Sequence, residues 1–157
     1  MNETNQNKTN STHPNFIPKV CDFGLAKSKS VGEDTSNQMT QAVGTPLWMA
    51  PEVVTGNRYG PECDVFSFAI IMNEVLTEKK PYFDRPNSPP IFIQVSTNPN
   101  FRPTTPNPED DPSDLPLKTM QSQKEYIELM KRCWAHIPSK RPTFADVVDK
   151  LREIASI

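Results

Sequence analysis

Apolar and polar positions change their pattern several times along the chain, and each change marks an element. Residues 1–15 are rich in Asn and Thr and have no apolar period, so a disordered tail is predicted there. His13 lies in that tail as an isolated side chain with no ligating neighbour. Ile17 to Cys21 reads as a short β-strand, which Pro18 confines to a sheet edge or a strand start. Ser28 to Gln41 is polar and reads as a surface loop. The run from Asp64 to Leu76 is different: its apolar side chains point all round a helix, which predicts a central helix buried on most sides. Asp64 heads it, where a carboxylate suits the helix N-terminus but would be costly in a dry interior without a partner. Gln123 to Trp134 places Tyr126, Ile127, Met130 and Trp134 at helical spacing. Thr143 is a natural N-cap with Asp146 three residues on, and Val147, Val148, Leu151 and Ile154 follow as an apolar face.

Between these helices the prolines decide. Ten of the chain's seventeen fall between Pro81 and Pro116, and they forbid long elements apart from a short apolar helix near Ile91 to Val95. The resulting fold class is mainly α, with helices around a central buried helix.

At 157 residues the chain holds one ordinary domain, and its net charge of −2 gives no footprint for nucleic acid. Cys21, Cys63 and Cys133 are far apart and form no CxxC pair, so neither a metal site nor a disulfide framework is predicted. A reduced, cytoplasmic setting fits that usage. No segment approaches the roughly 18 apolar residues of a membrane span. Mean hydropathy is −0.61, in keeping with a soluble protein.

Three motifs carry chemistry. Asp22-Phe23-Gly24 follows the predicted strand; alone it is a common turn. Gly44-Thr45-Pro46-Leu47-Trp48-Met49-Ala50-Pro51-Glu52 comes next, and Cys133-Trp134 with Arg141-Pro142-Thr143-Phe144 lies near the C-terminus. An Asp-Phe-Gly and an Ala-Pro-Glu in this order, separated by a polar loop, are signatures of protein kinases. From about Val20 to Ile154 the chain resembles the C-terminal lobe of a eukaryotic protein kinase. Asp64-Val65-Phe66-Ser67-Phe68-Ala69 is similar to that family's central helix, with Phe66 for Trp and Ala69 for Gly. Leu47-Trp48 in place of a basic residue before Trp, and Thr45 where tyrosine kinases carry Pro, make the resemblance one to the tyrosine-kinase-like group of Ser/Thr kinases. Residues 16–157 would then form a partial kinase domain, with the short strand placed before the Asp-Phe-Gly loop.

The resemblance implies roles. Asp22 would be the metal-binding carboxylate, with Phe23 setting its position and Gly24 freeing the turn. Thr45 would lie beside the catalytic base and the incoming substrate residue. Glu52 and Arg141 would form a buried ion pair, and Asp64 would hydrogen-bond backbone of the catalytic loop. Ser28, Ser30, Thr35, Ser36 and Thr40 are possible phosphate acceptors. ATP and Mg²⁺ would be used by the full-length parent. These 157 residues contain no Gly-rich loop, no Val-Ala-Ile-Lys strand and no His-Arg-Asp loop. Without the base and the phosphate-binding Lys, the isolated chain is expected to hold no nucleotide and to be inactive. Asp64 would be left without its partner, and the central helix would expose an apolar patch.

Two readings follow. One is a Ser/Thr kinase of which this is the C-terminal part, whose partners are a protein substrate and the missing N-terminal kinase portion. The other is a non-catalytic, truncated-kinase interaction module.

Overall fold

The computed structural model describes residues 17–21, 23, 46–85, 89–109, 117 and 119–157. By internal contacts the chain forms two units, Met1–Glu33 and Asp34–Ile157. In the first, residues 17–21 and Phe23 are exposed, Ile17 and Val20 at 74% and 84%. The strand expected over Ile17–Cys21 is not formed in the described residues. A strand exists only through ladder partners, and Pro18 removes one of the few donors this run offers.

The second unit is helical. A 3-10 turn at Pro46–Trp48 leads into α1 (Pro51–Val54), with Pro51 at the first position, where a missing N–H costs nothing. Helix α2 (Glu62–Thr77) is the central element. Its first turn is closed by the carbonyls of Gly60 and Pro61, and its acids Glu62 and Asp64 sit at the positive end of the helix dipole. It stops at Glu78, which takes the left-handed conformation at φ 54° and returns its N–H to the Glu74 carbonyl.

Helix α3 (Ile91–Thr97) is short, as the prolines demand. Helix α4 (Met120–Cys133) begins earlier than the Gln123 suggested by apolar spacing. The Thr119 hydroxyl accepts from the Ser122 N–H, and the Ser122 side chain answers the Thr119 N–H, so a polar capping box starts the helix. Helix α5 (Phe144–Ser156) starts in the same way, from Thr143 and Asp146.

Helix α2 packs on α4, and α4 on α5. Phe66, Ala69 and Ile70 are fully enclosed, together with Met130 and Cys133 of α4. The Tyr126 hydroxyl donates to the Met72 carbonyl at 3.2 Å, and Asn73, itself buried, donates to the Thr104 carbonyl at 3.1 Å. Burying each large side chain of this kind contributes about 1.5–3 kcal/mol.

One strip of α2 is not covered. Asp64 is exposed, Phe68 is half-buried, and Ile71 and Val75 are exposed at 45% and 61%. These positions share one helix face. Phe68 meets Phe144 of α5 edge to face at 5.7 Å, and Phe144 and Val148 are themselves partly open to solvent. Val148, read from the sequence as part of the packed face of α5, instead extends this open apolar strip. The packed side of α5 is Val147, Leu151 and Ile154.

Candidate functional site

The best-defined cluster lies where the Pro46–Glu52 segment meets the central helix. The Trp48 indole N–H donates to a Glu74 carboxylate oxygen at 2.7 Å, and the Ser67 hydroxyl donates to the Trp48 carbonyl at 2.8 Å. Glu74 and Ser67 lie on α2, two turns apart, so the 3-10 turn is pinned along that helix. Sequence reasoning passed over both. The available signal was an acid, Glu74, inside a mostly apolar run, three residues before the last residue of the helix.

Arg141 completes the cluster. Its two Nη atoms grip both oxygens of Glu52, at 2.6 and 2.9 Å. Nη1 also donates to the Glu62 carbonyl at 2.9 Å, Nη2 to the His136 carbonyl at 3.2 Å, and Nε to the Ala135 carbonyl at 2.8 Å. All five guanidinium donors are therefore used. The Arg141 side chain is fully enclosed and that of Glu52 nearly so. The guanidinium carbon also lies 5.1 Å from the centre of the Phe66 ring, a cation–π contact with the central helix.

Asp64 does not join this cluster. Its carboxylate is exposed and, among the described residues, receives only a long contact from the Cys63 thiol, at 3.8 Å. Cys63 is no nucleophile at neutral pH: burial, then the charges of Asp64 and Glu52, push its thiol up to about 12. Burial also raises Cys133 to about 11.

Phe23 is exposed at 68%. Asp22, Gly24, Thr45, Ser28, Ser30, Thr35, Ser36 and Thr40 lie outside the described residues. Among the described residues no group of three His, Cys, Asp or Glu side chains could hold a metal ion. No helix among them is long and apolar enough to cross a membrane.

The family model described as "Protein kinase domain" matches residues 5–151, and the chain belongs to that family. Its fold is that of a portion of the kinase C-terminal lobe. The curated relatives it resembles are Ser/Thr and dual-specificity kinases. Dual specificity protein kinase shkD of Dictyostelium discoideum is 38% identical over 140 residues, covering 89% of this chain and 16% of the relative. Dual specificity protein kinase shkA of the same organism is 35% identical over 142 residues, with 89% and 24% covered. Mitogen-activated protein kinase kinase kinase 7 of Bos taurus is 38% identical over 132 residues, with 84% and 19% covered. The chain thus spans less than a quarter of the length of each of these.

Proposed function

We propose that the chain is the substrate-side part of a Ser/Thr protein kinase of the tyrosine-kinase-like group, and that these 157 residues alone do not transfer phosphate. The observation that carries this reading is the anchoring of the Pro46–Glu52 segment, by Glu74 and Ser67 to the central helix and by Arg141 to the far helices. Phosphoryl transfer depends on positioning and charge stabilisation rather than on covalent chemistry by the protein. A segment fixed at two points on a rigid helix and at a third by a buried arginine is suited to hold a protein substrate in register. In the full-length protein Asp22 would hold Mg²⁺ on ATP, Phe23 and Gly24 would shape its turn, and Thr45 would face the substrate hydroxyl. Phosphorylation of the loop carrying Ser28, Ser30, Thr35, Ser36 and Thr40 would regulate it. Asp64 would find its partner in backbone of the catalytic loop. A cytoplasmic setting belongs to the same reading.

The test begins with the size of the endogenous protein. A product much larger than 17.7 kDa that labels protein Ser or Thr from Mg-ATP, and loses that activity in Asp22→Asn, supports the proposal. An endogenous product of 17.7 kDa would rule catalysis out.

A second reading, a non-catalytic interaction module, draws on the open strip of Phe68, Ile71, Val75, Phe144 and Val148. ATP-analogue binding with Mg²⁺ separates the two, because a module needs none in any length of the protein.

A further inference from the structure

Away from the anchored segment, a pocket of about 470 Å³ opens between the Pro99–Thr105 stretch and the end of α4. Among the described residues three cations line it, Arg85, Arg102 and Lys131, and no carboxylate does. None of the three has an ion-pair partner among the described residues, in a chain whose net charge is −2. Thr104, which lines the pocket, donates its hydroxyl to the Asp84 carboxylate.

Arg102 is the unusual member. It is only 7% exposed, and its Nε and Nη1 donate to the Trp134 and Phe101 carbonyls at 3.1 and 2.7 Å. Its Nη2 is buried with no hydrogen-bond partner among the described residues. Burial holds its pKa below the ordinary arginine value; Tyr82 opposes this and Arg141 adds to it. The guanidinium carbon also lies 5.2 Å from the centre of the Phe66 ring. A buried guanidinium held only by neutral carbonyls and a ring face has no counter-charge, and its field falls on the pocket it lines. Tyr82 adds a second orphan: its hydroxyl is buried without a partner among the described residues, and its backbone is held at φ 59°. Its ring stacks on Phe101 at 5.6 Å, and the Arg85 guanidinium lies 5.9 Å from that same ring, which limits where the arginine can point.

We propose that this pocket binds a phosphoryl group. Arg102 supplies a fixed positive wall, while exposed Arg85 and Lys131 make the direct charge-assisted contacts. Thr105 adds a hydroxyl to the wall. A dianion answers three unpaired cations better than a monoanion does, and a phosphate ester is largely dianionic above its second pKa of about 6. The group has two sources, the free anion and a phosphorylated protein side chain, and the experiment separates them.

The chain would be titrated with inorganic phosphate and, separately, with a phosphoserine peptide, at constant ionic strength, while its backbone amide resonances are followed. Saturable shifts clustered at residues 99–105 and near Lys131 are expected. Arg85→Ala with Lys131→Ala should weaken binding about tenfold or more, since both charge-assisted contacts are lost. The charge-keeping pair Arg85→Lys with Lys131→Arg should retain most of it. Both altered side chains are exposed, so the fold is left standing. Tighter binding of the peptide assigns the site to a phosphorylated protein segment; equal binding assigns it to the free anion. No saturable shift with either probe, or binding unchanged in the alanine pair, overturns the proposal.

Discussion

At the scale of single residues, Arg141 carries the largest local consequence. Removing one partner of a buried pair leaves the other charge stranded, at a cost of about 3–5 kcal/mol. Arg141→Met is therefore expected to lower unfolding stability by about that amount in urea titration. Pairing it with Glu52→Met should recover only part of the loss. The carbonyls of Glu62, Ala135 and His136 would still lack their donor. A loss under about 1 kcal/mol would show that the clamp contributes little. His136 gives a second residue-scale test. Burial, then the positive charges of Arg102 and Arg141, hold its pKa below the ordinary imidazole value, against a smaller opposing effect of Glu52. The folded state thus disfavours the proton. Stability contributed here is fully present above the unfolded value of about 6.5 and is lost as pH falls from there towards the folded pKa. An imidazole titration in the folded chain at or above 6.5 would contradict this.

At the scale of elements, the capping boxes set helix starts that apolar spacing alone misplaces. Thr143→Ala removes the acceptor for the Asp146 N–H and should cost about 1 kcal/mol, read as a lower melting temperature with helix content nearly kept. The elements were legible to different degrees. The central helix, α3 and α5 could be read because burial and capping leave a periodic trace in sequence. The start of α4 could not, because Thr119 and Ser122 are polar and silent in a hydrophobic pattern. The strand at Ile17–Cys21 failed because a strand depends on a partner that a local run of residues does not specify. The Glu52–Arg141 pair was legible through family resemblance alone, since nothing local joins two residues so far apart. Glu74 and Arg102 were missed, as each acts through a contact that only the folded chain brings together.

At the scale of the whole molecule, the open strip on α2 and α5 is the least ordinary feature. Exposed apolar surface that continues across two helices favours association, and each large side chain newly covered gains about 1.5–3 kcal/mol at most. The isolated chain is expected to self-associate with rising concentration in sedimentation velocity. Ile71→Lys with Val75→Lys should shift it towards monomer without loss of helix content, because both side chains already face solvent. A monomer at all concentrations before substitution would argue that the strip is harmless.

The Arg141 clamp also has a consequence in time. Its bonds to Glu52 and Glu62 join positions 89 and 79 residues apart, so they close very long loops. Contacts of that separation are entropically slow to form and belong late on the folding route, after the local helices have docked. Interactions absent from the transition state govern escape from the native state rather than entry into it. In stopped-flow kinetics, Arg141→Met should therefore raise the unfolding rate and leave the refolding rate almost unchanged. On that account the guanidinium is a latch: it sets how long the assembled Pro46–Glu52 segment lasts, more than how fast it assembles.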